Sequence, residues 1–582
     1  MSIKVEGIDI TFKQLTCKAK TGIFKRTEKN ILDCISGTFR AGELSVILGP
    51  SGSGRTTLLN ILSGLVQDHF QATLTIEASH YTSIRNQSSY IMQDQMLHPL
   101  LTVAEAMDFA IQLKSGTTNN NKVQRRHKCD AILKQLGLTD LGDTMTENLS
   151  GGERKRLSIA VELVNDPSIL FLDEPTTGLD SYSSSKFVAY LSELARSGKS
   201  IICSIHSPSA LMLQAFDHVY AIAEGKCIYQ GSNDKLLAFL NELNLSCPES
   251  FNPADYLMEI ATNQYGHLNY ALTEKINNGL DDSYRKEMYL PNVNQCATQT
   301  KIWKYKSTFV EQLLLLIQRN LLLMKRNRKY LFLRFSVSIT LAIVTGISFY
   351  NLGHLANHIF DNYKFIYSTT QFLTYSSFYS LMIRFPIDLS ILRREHFNRW
   401  YSSSSYYLAL TIADMPALLG VTIVFISISY YMTGQPIEHQ RIILMFVVGI
   451  LISFTAQAFG LLASSIFSDV TISLVIGAGL MAVHMIFCGI LVLKKDVQPW
   501  LKWIFDITFL NHGNDGMVLA LFGYNREKLD CDRIYCHYAE PKEFLKLIDA
   551  PSSISFHSFF IILLIVHSFT YINMMIKLKK IN

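Results

Sequence analysis

Long apolar runs fill the second half of the chain, and they constrain its fold more than any other feature. Residues 330–582 contain several runs near the ~20 residues that cross a bilayer core, with few charged residues inside them. Backbone groups inside a bilayer must be satisfied internally, so this half is predicted to be an all-α membrane domain. Residues 1–300 carry charges throughout and are typical of a soluble α/β domain.

Six membrane spans are predicted, and the residues between them set the expected topology. The spans cover about 331–350, 365–385, 408–431, 442–467, 470–492 and 556–576. Basic residues follow the second and sixth spans, where a cytosolic start predicts them: Arg384, Arg393, Arg394, Arg399, Lys577, Lys579 and Lys580. Both termini are therefore expected in the cytosol, because the N-terminus also lacks a signal-peptide core. Residues 498–522 are apolar but interrupted, which favours a re-entrant segment.

The composition of the chain indicates which class of molecule it binds. Of 582 residues, 48% are apolar and 17% are charged, and the net charge of +5 is small for this length. We therefore expect no nucleic-acid partner. The expected partner is a lipid bilayer, either the plasma membrane or an organelle membrane.

Cys531 and Cys536 lie in the loop before the sixth span, on the side where oxidation is permitted. A disulfide that closes this loop is predicted, and a bond to a partner chain is the alternative.

A glycine-rich stretch, GPSGSGRTT, lies between an apolar run ending at Leu48 and a helical pattern starting at Thr57. Strand, glycine loop and helix is the arrangement that binds nucleotide phosphates with backbone N–H groups and a helix N-terminus. The Thr56 hydroxyl is placed to ligate magnesium. The predicted phosphate-binding residues are Gly49, Pro50, Ser51, Gly52, Ser53, Gly54, Arg55, Thr56 and Thr57.

A second apolar strand, Ser168 to Leu172, runs directly into Asp173 and Glu174. Such a pair fits a magnesium-organising aspartate followed by a general base that polarises the attacking water. A solvated acidic turn is the alternative, and the upstream phosphate loop argues against it.

Between these motifs lies LSGGE, with Ser150, Gly151 and Gly152. This run resembles the signature of ATP-binding cassette (ABC) proteins, and other cassette motifs follow the expected order. Gln93 matches the Q-loop glutamine, Asp180 the D-loop and His206 the switch histidine. The resemblance implies ATP and Mg²⁺ as cofactors, with the metal held by Thr56, Gln93 and Asp173, and catalysis by Glu174, Gln93 and His206.

The resemblance also implies a dimer. In that family, two cassettes pair head to tail and enclose ATP between the phosphate loop of one chain and the signature of the other. This chain has one cassette, so it resembles a half-transporter that pairs with a second half, identical or different.

The order of the domains resembles the G subfamily, the White-like or half-size pleiotropic-drug-resistance branch, and NPADY at 252–256 agrees with it. The implied division is a cassette over 1–263, a linker over 264–308 and a membrane domain over 309–582 that starts with an amphipathic helix. The resemblance places a route for apolar or amphipathic substrates along the dimer axis, lined by the second and fifth spans of both protomers. Its candidate residues are the aromatic Phe372, Tyr375 and Tyr379 and the gate Ile490 and Leu491. Helix packing is the alternative for the aromatic residues.

Two positions depart from the family pattern. Arg55 stands where the phosphate-loop lysine is expected, and Cys17 stands where a tyrosine would stack on adenine, although Phe12 or another residue could replace that tyrosine. An arginine keeps the charge but has a different shape, so hydrolysis at this loop is expected to be slower. Two functions follow as hypotheses: an ATP-driven exporter of lipids, sterols or similar molecules, or a catalytically weakened regulatory subunit of a heterodimer.

Overall fold

The computed structural model describes residues 8–21, 27–65, 73–75, 87–94, 96–116, 122–248, 251–285, 305–467, 469–532 and 534–579. The chain divides into two compact units. The cassette unit consists of Met1–Leu315, Ile391–Ser402 and Lys579–Asn582, and the helical unit of Leu316–Ser390 and Ser403–Leu578. The predicted fold class, an α/β P-loop cassette followed by a helical membrane-type domain, is confirmed.

The cassette unit contains two sheets. Its strands are β1 Ile10–Thr21, β2 Thr27–Phe39, β3 Leu44–Leu48, β4 Thr73–Thr75, β5 Ser88–Ile91, β6 Ile169–Asp173, β7 Ser200–Ser204, β8 His218–Ala223 and β9 Lys226–Gly231. One sheet is antiparallel with the order β2-β1-β4, and the other has the order β5-β6-β7-β3-β8-β9. In the second sheet every pair is parallel except β8 with β9.

The centre of the six-stranded sheet explains where the site forms. All residues of β3, β6 and β7 are buried, as expected for parallel strands covered on both faces. The three strands are neighbours in the order β6-β7-β3, so the loops that follow them meet at one edge of the sheet. The predicted strands before Gly49 and Asp173 agree with β3 and β6 within one residue.

Helices connect the strands of the cassette unit. They are α1 Arg55–Ser63, α2 Val103–Ser115, α3 Lys122–Gln135, α4 Gly151–Leu163, α5 Ser181–Arg196, α6 Ala210–Leu213, α7 Asn233–Glu242, α8 Pro253–Ala261 and α9 Asn269–Lys275.

Part of the predicted linker is folded against the cassette strands. Arg285 forms an ion pair with Glu43 at 2.7 Å, and both side chains are buried. Asn278 donates hydrogen bonds to the carbonyl oxygens of Asp33 and Cys34. Residues 264–285 therefore extend the cassette, and residues 286–304 lie outside the described residues.

The remaining helices belong mainly to the helical unit. They are α10 Phe309–Arg326, α11 Arg328–Ser348, α12 Ile359–Phe397, α13 Ser403–Met432, α14 His439–Ile466, α15 Val470–Ile486, α16 Lys502–Ile507, α17 Phe509–Phe522, α18 Pro541–Leu547 and α19 Phe556–Lys579. The last residues of α12, from Ile391, belong to the cassette unit.

Among the described residues, four helices are long and apolar enough to cross a membrane: Arg328–Ser348, Ser403–Met432, His439–Ile466 and Phe556–Leu578. The predicted second span lies within α12, which contains Pro386, and the predicted fifth span ends earlier, at Ile486. The predicted re-entrant segment contains the short helices α16 and α17, which are separated at Thr508. Six crossings and cytosolic termini stay predictions.

Candidate active site

The loop after β3 has the backbone of a phosphate-binding turn. A side chain at Gly49 would collide with the carbonyl oxygen of Ile222. Gly54 precedes α1 with φ +106°, a conformation that favours glycine. The loop therefore brings its backbone N–H groups and the N-terminus of α1 to the edge of the sheet, where an anion is stabilised.

Asp173 ends β6 directly beside this loop. Its Oδ1 atom accepts hydrogen bonds from the Ser204 hydroxyl at 2.6 Å and the Thr56 hydroxyl at 3.3 Å. Burial raises the pKa of the Asp173 carboxyl above its usual value. A carboxylate beside a hydroxyl is the oxygen donor set that Mg²⁺ prefers together with substrate phosphates, so these residues fit the metal that the resemblance implies.

Glu174 follows Asp173 in a left-handed backbone conformation, with φ +42°. Its Oε2 atom accepts hydrogen bonds from the Gln93 amide at 2.9 Å and the Thr177 hydroxyl at 3.1 Å. Its backbone N–H donates to Ser204, and its carbonyl oxygen accepts from Lys155. The structure therefore brings Gln93 and Glu174 together and fixes the backbone that carries the carboxylate.

Arg55 lies in the same cluster, at the first position of α1. Its Nη1 atom donates a hydrogen bond to the carbonyl oxygen of Ile205 at 2.8 Å, and Nη2 lies 3.6 Å from Oε1 of Glu174. Burial lowers the pKa of Arg55, while the charges of Glu174 and Asp173 oppose that shift. The departure from lysine is therefore accommodated by Glu174 and Ile205, the residues that directly follow β6 and β7.

The switch histidine also reaches the phosphate loop. His206 Nε2 lies 3.1 Å from the Ser51 hydroxyl, and Nδ1 lies 3.1 Å from the Ser207 hydroxyl. His206 is thus placed at the loop where the terminal phosphate of a bound nucleotide is expected.

Ser150 caps α4, and the signature residues lie apart from the phosphate loop. The Ser150 hydroxyl accepts from the Glu153 backbone N–H, and the Ser150 backbone N–H donates to the Glu153 carboxylate. Asp180 caps α5 in the same way, by accepting from Ser183, and this bond lowers the pKa of Asp180. In the described part of the chain, no hydrogen bond links Ser150 or Asp180 to the phosphate loop. Among the described residues, the signature and the phosphate loop therefore form two separate groups of candidate nucleotide-binding residues.

The two residues considered for adenine stacking are both buried. Phe12 packs against the rings of Phe39 and Tyr220, with centroids 6.0 and 5.9 Å apart. Cys17 is fully buried, and burial raises the pKa of its thiol to about 12. The suggestion that Phe12 stacks on adenine is therefore wrong, because its ring is part of the cassette core.

The motifs did not reveal every residue of this cluster. Ser204 donates to the carboxylate of Asp173, Thr177 donates to that of Glu174, and Lys155 donates to the carbonyl oxygens of Glu174 and Thr177. Burial lowers the pKa of Lys155 to about 8. Thr177 and Lys155 lie within the TTGLDS and ERKR runs, and Ser204 lies two residues before His206, so proximity to a motif was the available signal.

The cassette unit also contains a buried cluster that involves the segment after the predicted second span. Lys114 on α2 donates to Glu162 on α4 at 2.6 Å, and both side chains are 1% exposed. The Trp400 indole N–H donates to Glu162 at 3.2 Å, and the Lys114 ammonium lies 4.7 Å from the Trp400 ring centroid. Glu162 ends the same helix that Ser150 begins, so the cluster is attached to the signature helix.

Asn398 joins the same segment to β5. Its side-chain amide accepts from the Tyr90 backbone N–H and donates to the Tyr90 carbonyl oxygen, both at 2.9 Å. β5 leads directly to Gln93. The segment Ile391–Ser402 therefore contacts two elements that carry residues of the candidate ATP site.

The candidate substrate residues in the helical unit differ in their surroundings. Phe372 stacks on Phe425 with a centroid distance of 4.0 Å, which is intramolecular helix packing. Tyr375 and Tyr379 are half-buried, and their rings are parallel at 5.9 Å. Their roles, and that of Phe372, stay predictions.

The proposed gate lies beyond the end of α15. Leu491 is 58% exposed in the single chain, whereas Ile490 packs partly against the helical core. Gly489 just before them has φ +85°, so the two side chains follow a turn.

The two cysteines of the loop before α19 are bonded to each other. Cys531 and Cys536 form a disulfide with Cα atoms 6.0 Å apart. In the structure the bond closes a loop within this chain.

Known protein families match both the cassette unit and the helical unit. A family model described as ABC transporter matches residues 32–177, and one described as ABC-2 type transporter matches residues 311–522. ABC transporter G family member 26 of Arabidopsis thaliana is 30% identical over 522 residues, which cover 83% of this chain and 75% of that protein. The broad substrate specificity ATP-binding cassette transporter ABCG2 of Bos taurus is 28% identical over 551 residues, 87% of this chain and 83% of that protein. The chain belongs to the G family of ATP-binding cassette transporters.

Proposed function

We propose that the chain is one half of an ATP-driven exporter, and that two halves pair head to tail to complete its ATP sites. The observation that carries this proposal is the division of the site within one chain. The phosphate loop, Asp173, Glu174, Gln93 and His206 meet at one edge of the sheet, whereas Ser150 caps a helix without contact to that loop. A second chain would supply the missing signature.

Within that site, Glu174 is the proposed general base and His206 the residue that contacts the terminal phosphate. Thr56, Asp173 and Gln93 would hold Mg²⁺, which neutralises the charge that develops on the phosphates. The Thr56–Asp173 hydrogen bond of 3.3 Å supports the first two of these assignments.

The proposed cargo is apolar or amphipathic, such as a lipid or sterol. The half-buried rings of Tyr375 and Tyr379 are parallel and offer flat apolar surfaces, and the Tyr375 hydroxyl donates to the sulfur of Met485. The exposed Leu491 beyond α15 fits an apolar gate at the end of such a route.

Movement of cargo requires that the ATP site and the membrane domain respond to each other. We infer that the segment Ile391–Ser402 provides this coupling, because it connects α12 to α13 in the chain. Its Asn398 holds β5 before Gln93, and its Trp400 holds the far end of the signature helix.

Transport in vesicles tests the function directly. Purified chain in proteoliposomes is expected to move a fluorescent phospholipid or sterol analogue when ATP and Mg²⁺ are supplied. The matched control is the same preparation with the non-hydrolysable analogue of ATP. Equal movement with both nucleotides would contradict ATP-driven transport.

A regulatory subunit is the second candidate function, and the Arg55–Glu174 ion pair favours it, because the proposed base already has a cationic partner. In a homodimer, a handicap at Arg55 affects both ATP sites, whereas in a heterodimer it affects one. Arg55→Lys is therefore expected to raise ATP turnover strongly in a homodimer and by about twofold or less in a complex whose partner has lysine.

Steady-state ATPase of complexes with known stoichiometry measures this difference. A homodimer that turns over fast and becomes slower on gaining lysine would show that arginine is adapted to catalysis, and would contradict the regulatory alternative.

A further inference from the structure

The guanidinium of Arg55 connects two strand ends that carry catalytic candidates. Nη1 bonds the carbonyl oxygen of Ile205, which directly precedes His206, and Nη2 faces Glu174 at the end of β6. The Arg55 side chain is 8% exposed and that of Glu174 is 20% exposed. The ion pair is therefore partly shielded from water, where opposite charges interact more strongly than on an open surface.

Both oxygens of the Glu174 carboxylate have partners in this arrangement. Oε1 faces Arg55, and Oε2 accepts from Gln93 and Thr177. A general base needs a free acceptor position for the attacking water. The ion pair of Oε1 with Arg55 is the interaction that a bound phosphate can replace, because a phosphate attracts the same guanidinium.

The fork of the arginine side chain explains why this residue suits the position. A guanidinium presents several donors in fixed directions and can bind two partners at once, whereas a lysine ammonium is a single point charge. Arg55 uses one branch for Ile205 and the other for Glu174. A lysine at this position would lack this pair of donors in fixed directions.

We propose that Arg55 is a positioning residue for Glu174, and that nucleotide phosphate and the Glu174 carboxylate compete for its guanidinium. Without nucleotide, Arg55 holds the carboxylate. A bound diphosphate or triphosphate attracts the guanidinium and frees Oε1 to accept a proton from water. This inference rests on the proposed role of Glu174 as the general base.

A double-mutant cycle on nucleotide affinity tests the competition. The probe is ADP without magnesium, because it carries phosphates but does not turn over. Glu174→Gln removes the competing charge, so it is expected to tighten ADP binding in the wild-type background. In the Arg55→Met background the same change is expected to have a smaller effect. The ratio of ADP affinities with and without Glu174→Gln should differ between the two backgrounds by roughly three- to tenfold.

Two further variants make the result specific. Arg55→Lys keeps the charge but loses the two fixed donor directions. In the Arg55→Lys background, Glu174→Gln should therefore tighten ADP binding less than in the wild type and more than in the Arg55→Met background. Glu193→Gln removes an exposed carboxylate on α5 and should leave ADP affinity unchanged.

Equal effects of Glu174→Gln in all three backgrounds would overturn the competition. This outcome differs from a failure of the proposed function, because ADP binding requires neither transport nor hydrolysis. A chain that transports nothing but shows the coupling would retain the inference about Arg55 and lose the proposed export.

Discussion

Glu174→Gln is expected to lower steady-state ATP turnover by about 10²–10⁴-fold while ATP still binds. The amide keeps the shape of the side chain, so the hydrogen bonds from Gln93 and Thr177 can persist through its oxygen. It cannot accept a proton from the attacking water. Phosphate release and filter binding of labelled ATP measure the two quantities on the same preparation.

The matched control is Glu193→Gln, which changes an exposed carboxylate of the same unit and should leave turnover at the wild-type rate. Turnover of Glu174→Gln within experimental error of wild type would remove Glu174 from the mechanism. Loss of ATP binding in the same variant would instead assign the carboxylate a role in holding the loop.

The arrangement around Glu174 could largely be predicted from the sequence. A strand ending in Asp173 and Glu174 and a strand ending at the phosphate loop are local patterns, and buried parallel strands place their carboxyl ends at one edge. These predictions were possible because each strand and the loop that follows it are adjacent in the sequence. The proximity of these residues follows from the sheet topology.

The partners of Arg55 could not be predicted in the same way. A phosphate-loop cation is expected to face phosphate, and no spacing rule indicates that it would bond a carbonyl oxygen 150 residues away. The choice depends on which acceptors the neighbouring strands β6 and β7 present at their ends. Such contacts between distant residues leave no periodic signal in the sequence.

The membrane half shows a similar limit. Apolar runs predicted the long helices. The hydropathy of α12 is interrupted, so the predicted span covered only 365–385 of a helix of 39 residues. Aromatic residues along the predicted second span could pack or bind cargo, and only coordinates show their partners. Phe372 stacks on Phe425, whereas the ring of Tyr375 lies parallel to that of Tyr379. Side-chain orientation in a helix that is apolar on several faces is not fixed by its pattern.

The buried charges of the cassette unit give the second large expected effect. Lys114 and Glu162 are each 1% exposed, and burial lowers the pKa of Lys114 while Glu162 opposes the shift. Removing one partner of a buried pair leaves an unpaired charge, which costs about 3–5 kcal/mol of folding free energy. Lys114→Met is therefore expected to lower the thermal unfolding midpoint by roughly 10 °C, at ~2–4 °C per kcal/mol.

The double variant Lys114→Met/Glu162→Gln is expected to recover most of this loss. The neutral glutamine removes the carboxylate charge that Lys114→Met leaves unpaired, and its oxygen can still accept from the Trp400 indole N–H, as Glu162 does at 3.2 Å. Lys134→Met on α3 is the matched control, because Lys134 is exposed and its loss should shift the midpoint by a degree or less. If the double variant unfolds as early as Lys114→Met, the loss comes from packing of the lysine side chain and not from the unpaired charge. If Lys114→Met unfolds with the wild type, the pair does not hold the signature helix to the segment that carries Trp400, and the proposed coupling through Glu162 loses its support.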